Sequence, residues 1–143
     1  MTARNGSADW HGDVRTGSGT ITVGDGVFSG PYSYDSRFGE HQGTNPEQLI
    51  AAAQAGCFTM ALASKLATGR HPPEVLRTNA TVHLRMQEGS ITLARLEIET
   101  EGRVKGIDEQ QFSRYVEDAK ATCPVARALS GIPEILLKAN LTG

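Results

Sequence analysis

The chain has 143 residues, 38% of them hydrophobic and 21% charged, with a formal net charge of −2. That is enough for one soluble domain, residues 1–143, with a core of its own. The small acidic excess, and the lack of any Lys/Arg run longer than two residues, argue against a polyanion partner, so no nucleic acid is expected.

The segment Met1–Gly6 has no apolar run, so no signal peptide is expected and the cytoplasm is the expected compartment. Thiols stay reduced there, and two cysteines are then poor candidates for a static staple. The first 35 residues are rich in Gly, Ser and Thr with short apolar islands at Trp10, Val14, Ile21, Val23, Val27-Phe28, Tyr32 and Tyr34. Turn signals at Thr16-Gly17, Asp25-Gly26 and Gly30-Pro31 separate them, which predicts a meander of about three strands. Residues 36–44 read as a loop.

A helix is predicted from Asn45, a good N-cap, through Pro46 at its first position, to about Thr68 before Gly69 and Pro72-Pro73. Gln48 supplies a weak capping box. The helix is apolar on nearly every face, so it is expected to be surrounded by protein. A membrane span would need stronger hydrophobicity than a stretch rich in alanine that also holds Gln54, Ser64 and Lys65, so no membrane is expected. Gly56 costs a mid-helix position about 1 kcal/mol relative to Ala, and a tight backbone contact would explain it.

Residues 76–87 alternate, with Leu76, Thr78, Ala80, Val82, Leu84 and Met86 on one face. Glu88-Gly89-Ser90 turns the chain into a second strand, 91–101, with Leu96, Ile98 and Thr100 inward. Ile91 and Leu93 are out of phase with that face, which fits either a bulge or a second apolar contact. Asp108 and Gln111 open another helix, whose stripe is Phe112, Tyr115, Val116 and Ala119. A short helix follows Cys123-Pro124 and ends near Ser130-Gly131, and residues 135–141 alternate as a last strand. The order βββ-α-ββ-α-α-β predicts an α+β fold.

Cys57 lies in the middle of the apolar helix. Read alone, it is a small core residue, the commonest fate of a free cysteine. Cys123 weighs against that reading. It precedes a proline at a helix start, where backbone N–H groups favour a thiolate, and Cys is a poor cap by comparison with Ser or Asp.

Two stretches, Thr44-Asn45-Pro46-Glu47-Gln48-Leu49-Ile50 and Ala55-Gly56-Cys57-Phe58-Thr59-Met60, resemble the central helix of the OsmC/Ohr family of osmotically inducible and organic hydroperoxide resistance proteins. Ala121-Thr122-Cys123-Pro124-Val125 resembles its second cysteine motif. Trp10-His11-Gly12-Asp13 and Ser36-Arg37-Phe38 resemble the OsmC branch. The resemblance implies strongly curved antiparallel sheets around a long buried central helix, in an intertwined homodimer. It implies a peroxidase for organic hydroperoxides and hydrogen peroxide in stress defence, re-reduced by an external dithiol, with no cofactor and no metal. It assigns Cys57 as the attacking thiolate, Cys123 as the resolving thiol, and Arg37 with Glu47 as the activating pair.

Physical chemistry is consistent with those roles. A buried thiolate needs a cation, and a guanidinium fixed by a carboxylate is a permanent one. Without the resemblance, Arg37 reads as a solvated loop residue and Glu47 as a first-turn acid favoured by the helix dipole. Position alone makes Cys123 the lower-pKa thiol, whereas the family order makes Cys57 the attacker. Glu47 and Cys57 are ten residues apart, about 15 Å along a helix, so one Arg is not expected to reach both in one chain. Two antiparallel copies of the helix bring Glu47 of one chain near Cys57 of the other, which predicts shared active sites in a two-fold dimer.

Three other readings compete with this one. A zinc site from the cysteines with His11, His41, His71 or His83 lacks the usual ligand spacing. A non-enzymatic redox sensor and a binder of small apolar ligands remain open on sequence alone. Phe38, Phe58 and Met60 fit either an apolar substrate approach or the core.

Overall fold

A computed structural model describes all of residues 1–143. The chain forms two compact units, Met1–Leu49 and Ile50–Gly143.

In the first unit, β1 (Gly6–His11), β2 (Ser18–Val23) and β3 (Phe28–Tyr32) form the expected antiparallel meander in the order β1-β2-β3. The β1–β2 turn is closed by Asp13, whose carboxylate accepts the Thr16 N–H at 2.8 Å. Trp10 packs edge-on against Tyr32, with ring centroids 5.2 Å apart. Pro31 is tolerated because β3 is an edge strand.

The predicted loop at 36–44 is corrected in part: Tyr34–Phe38 is a short helix, α1. Ser33 caps it, accepting the Ser36 N–H at 3.0 Å, while Ser36 Oγ accepts the Ser33 N–H at 2.8 Å. This reciprocal box uses Ser where Glu or Gln is the usual partner, so the sequence signal was weak.

Helix α2 (Pro46–Thr68) starts and stops where expected. Asn45 Oδ1 accepts the Gln48 N–H at 2.8 Å, one arm of the capping box. At the far end Arg70 adopts a positive φ of 67°, and the His71 N–H reaches back to the Leu66 carbonyl at 2.8 Å. Gly69 leaves room for the Tyr115 hydroxyl, which an added Cβ would displace.

In the second unit, β4 (Val75–Gln87) and β5 (Ser90–Arg103) are antiparallel, with a register shift between His83 and Leu84. That shift is the bulge that the phase of Ile91 and Leu93 suggested, and it leaves Ala94 buried and Ile91 exposed. Met86, expected inward, is exposed at the strand end.

Strand β6 (Glu134–Leu141) pairs parallel to β5, so the expectation of purely antiparallel sheets is corrected: this sheet is mixed. The connection explains it. Helices α3 (Glu109–Thr122) and α4 (Pro124–Ala128) lie between β5 and β6, and a helical crossover returns the chain in the same direction. Asp108 and Gln111 form the full capping box of α3.

The core of this unit joins Phe58, Leu62 and Leu66 of α2 to Leu96 and Ile98 of β5 and to Phe112, Val116 and Ala119 of α3. A chain of hydroxyls adds a polar tie, Thr59 to Thr78 at 2.7 Å and Thr78 to Thr100 at 3.0 Å. Phe58 is therefore core rather than substrate approach, whereas Met60 is 76% exposed.

Beyond Glu47 in its first turn, the residues buried on α2 recur at Gln54, Phe58, Leu62 and Leu66, one stripe at four-residue spacing. Ala52, Ala53, Gly56 and Met60 form an exposed apolar face. The expectation of burial on every side is thus not met within one protomer. Gly56 faces open space, where an added Cβ would meet no atom within 4 Å.

Candidate active site

The predicted site residues fall into two clusters, one in each unit. Arg37 sits in the last turn of α1, and Glu47 in the first turn of α2. Asn45 ties these ends together: its Nδ2 donates to the Ser36 carbonyl at 3.0 Å while its Oδ1 caps α2. Arg37 Nε donates to both oxygens of Glu47 at 3.1 Å, and Nη2 donates to Oε1 at 2.7 Å. The carboxylate is buried, with 8% of its side chain exposed, against 36% for Arg37. A fork of this kind fixes the guanidinium plane while leaving its other N–H groups uncommitted.

Beside this pair lies an apolar cavity of about 180 Å³, lined by Trp10, Val14, Ser33, Tyr34, Arg37 and Phe38. The Arg37 guanidinium also lies over the Phe38 ring, 4.9 Å from its centroid. A dry cavity of about 150 Å³ holds a benzene molecule, so this one has the scale of a single aryl or branched alkyl group.

The second cluster is a dithiol. Cys57 lies mid-way along α2, and Cys123 is the hinge residue between α3 and α4. Its N–H closes α3 on the Ala119 carbonyl at 2.9 Å, and its own carbonyl accepts the Arg127 N–H at 3.0 Å. Both cysteines are free thiols, Cys57 half-buried and Cys123 fully buried. Their sulfurs are 2.9 Å apart and share a hydrogen bond.

Burial pushes the Cys57 thiol above its ordinary value. The contact with the Cys123 thiol, which donates to the Cys57 sulfur, raises it further. The backbone N–H of Val125 pulls the other way, and negative charge on Cys123 again raises it. Within its own unit, then, Cys57 is placed to meet Cys123 but is not activated as a thiolate.

The geometry adds a residue that was read only as a polar interruption of the apolar helix. Gln54 lies one turn before Cys57, is fully buried, and directs Nε2 at Cys123 Sγ from 3.7 Å. Its signal was a full amide set among alanines, three positions before a cysteine. No three His, Cys, Asp or Glu side chains gather in a metal-binding group.

Comparison with known proteins gives a consistent picture. A family model described as OsmC-like protein matches residues 39–138. The chain is 38% identical over 127 residues to peroxiredoxin OsmC of Escherichia coli strain K12, covering 88% of this chain and 89% of that protein. It is 32% identical over 95 residues to the organic hydroperoxide resistance protein OhrA of Bacillus subtilis, covering 66% of each. In structure it is similar to an organic hydroperoxide resistance protein OsmC from Legionella pneumophila, with a TM-score of 0.69 over 100% of both chains at 24% identity.

Proposed function

The chain belongs to the OsmC-like protein family, and from that premise we propose that it is a cysteine-based peroxidase that reduces organic hydroperoxides, and hydrogen peroxide less selectively, in oxidative or osmotic stress defence. The observation that carries the reading is the 2.9 Å approach of two free thiols, one half-buried and one fully buried.

The Cys57 thiolate attacks the O–O bond and takes one oxygen as a sulfenic acid, releasing an alcohol or water. The Cys123 thiol then displaces that hydroxyl. The S–OH bond breaks, an S–S bond forms, and the thiol proton leaves in water. An external dithiol reduces the disulfide by exchange. A cycle that starts from two free thiols needs a reducing compartment, so in this reading the protein works in the cytoplasm.

Cys57 needs a cation, since burial and Cys123 raise its pKa. Arg37, held by Glu47, supplies it in this reading. Helix α2 carries Glu47 and Cys57 without a break, which favours delivery from a second protomer. The exposed apolar face Ala52, Ala53, Gly56 and Met60 is the surface two such helices would share. The working unit is then a two-fold homodimer with shared sites, each chain one OsmC-like domain over 1–143. The cavity beside Arg37 takes the organic group of the peroxide and sets the preference for organic hydroperoxides.

Single-cysteine variants test the reading. Cys57→Ser is expected to lose peroxidase activity, and Cys123→Ser to consume one equivalent of peroxide and then stall or over-oxidise. Multi-turnover activity in Cys57→Ser equal to wild type overturns the assignment. Oxidation to the disulfide without turnover in excess dithiol identifies a redox sensor instead.

A further inference from the structure

We propose that Gln54 is a catalytic residue of the disulfide half of the cycle: its amide N–H stabilises the Cys123 thiolate when that sulfur attacks and when it leaves. The proposal rests on the two-thiol reading above, and concerns a step that neither Arg37 nor Glu47 serves.

Three observations carry it. Cys123 is the more buried of the two thiols, at 0% exposure, so a negative charge on it has no water to hold it. The only side chain that donates to it is Gln54, through Nε2 at 3.7 Å, within reach for a sulfur acceptor. Gln54 is itself 0% exposed and its Oε1 has no partner. A buried amide with an orphan oxygen is costly, and an apolar side chain of the same size would pack there without that penalty. The helix keeps the amide where its one bond falls on a reacting atom.

The chemistry calls for a donor at that atom twice. In resolution, Cys123 gives up its proton and attacks the Cys57 sulfenic acid; the hydroxyl leaves with that proton as water. In reduction, a thiolate of the external dithiol attacks the more accessible Cys57 sulfur and the S–S bond breaks. Cys123 then departs as a thiolate and is reprotonated, and the second thiol of the dithiol closes the mixed disulfide and frees Cys57. A neutral N–H stabilises the charged sulfur in both steps without drawing charge away from Cys57 at rest, as a fixed cation beside Cys123 would. Peroxide cleavage at Cys57 does not use the amide.

The test compares wild type, Gln54→Met, which keeps length and removes the donor, and Gln54→His, which restores an N–H donor. Single-turnover mixing with cumene hydroperoxide, followed by dimedone trapping of the sulfenic acid, separates the two steps. In Gln54→Met, sulfenic acid is expected to form, and disulfide formation to slow by about tenfold or more, with recovery in Gln54→His. In a Cys57→Ser background, ultraviolet titration should show the Cys123 thiolate forming about one pH unit higher in Gln54→Met. This second measurement does not depend on turnover, and a loss of packing alone would not move it in that direction. Equal resolution rates, or an unchanged or lower Cys123 pKa, overturn the proposal. If wild type itself forms no Cys57 sulfenic acid, the peroxidase reading fails instead, and with it the role assigned to Gln54. Should Gln54→Met fail to fold, Gln54→Leu carries the same comparison.

Discussion

Glu47→Gln is the sharpest probe of the guanidinium fork, because it preserves shape and removes only the charge and one acceptor. Glu47 accepts three contacts from Arg37, at 3.1, 3.1 and 2.7 Å. A glutamine offers one carbonyl oxygen and an NH₂, so at least one of these contacts becomes donor against donor. Hydrogen bonds to charged groups contribute about 1.5–3 kcal/mol each. Arg37 is 36% exposed, so water recovers part of the loss and the lower end applies. If that energy serves to aim Arg37 in the transition state, kcat/KM falls by about tenfold. The assay is steady-state reduction of an organic hydroperoxide with dithiothreitol, run on Glu47→Gln, Arg37→Lys and the double variant. Glu47 acts through Arg37 in this scheme, so the double variant should be little worse than Arg37→Lys alone. Wild-type kcat/KM in Glu47→Gln, or fully additive losses in the double variant, would refute the reasoning.

Three further outcomes are expected. Gly56→Leu places a side chain where the single chain has open space, so it should leave the fold intact and dissociate the proposed dimer, as read by sedimentation of wild type and variant; a dimer unchanged by the substitution removes α2 from the proposed interface. Arg37→Gln should leave Cys57 with only the influences of its own unit, which raise its pKa above the ordinary 9.0. The folded state then holds the thiol proton more tightly than the unfolded state, so that contribution to stability is complete below the unfolded pKa and is lost as pH rises through the folded one. A thermal melt series into the alkaline range should show that decline in Arg37→Gln and not in Arg37→Gln/Cys57→Ser, and iodoacetamide rates should place the thiol pKa above that of wild type. Phe58→Ala opens a void at a fully buried position and should cost about 3–5 kcal/mol in urea unfolding; a cost under about 1 kcal/mol would mean that Phe58 is not in the core.

Much of this protein is local, and local chemistry is legible along the chain. Asn45-Pro46 and Asp108 with Gln111 mark helix starts because their side chains bond to backbone only three residues away. The phase break at Ile91 and Leu93 marked the β5 bulge because a strand turns its side chains over at every residue. Cys57 and Cys123 stood out as chemical groups, and Glu47 as a helix-start acid. What could not be read is what depends on distant partners. The parallel pairing of β6 follows from where α3 and α4 return the chain, not from the alternation of Ile135, Leu137 and Ala139, which suits either direction. Helix α1 hid behind a Ser–Ser box with little propensity signal. The approach of Cys57 to Cys123, the fork between Arg37 and Glu47, and the amide of Gln54 on Cys123 join residues that the sequence only lists. Their geometry exists only once α2 has packed its Phe58–Leu62–Leu66 stripe and α1 has been capped. The sequence by itself determined the fold class, the starts of α2, α3 and α4 and the two cysteines as candidate thiols, because those depend on neighbours along the chain. Only the tertiary structure decided which face of α2 is buried, which sulfur is dry and which donor serves it, because burial and hydrogen bonding belong to the packed chain.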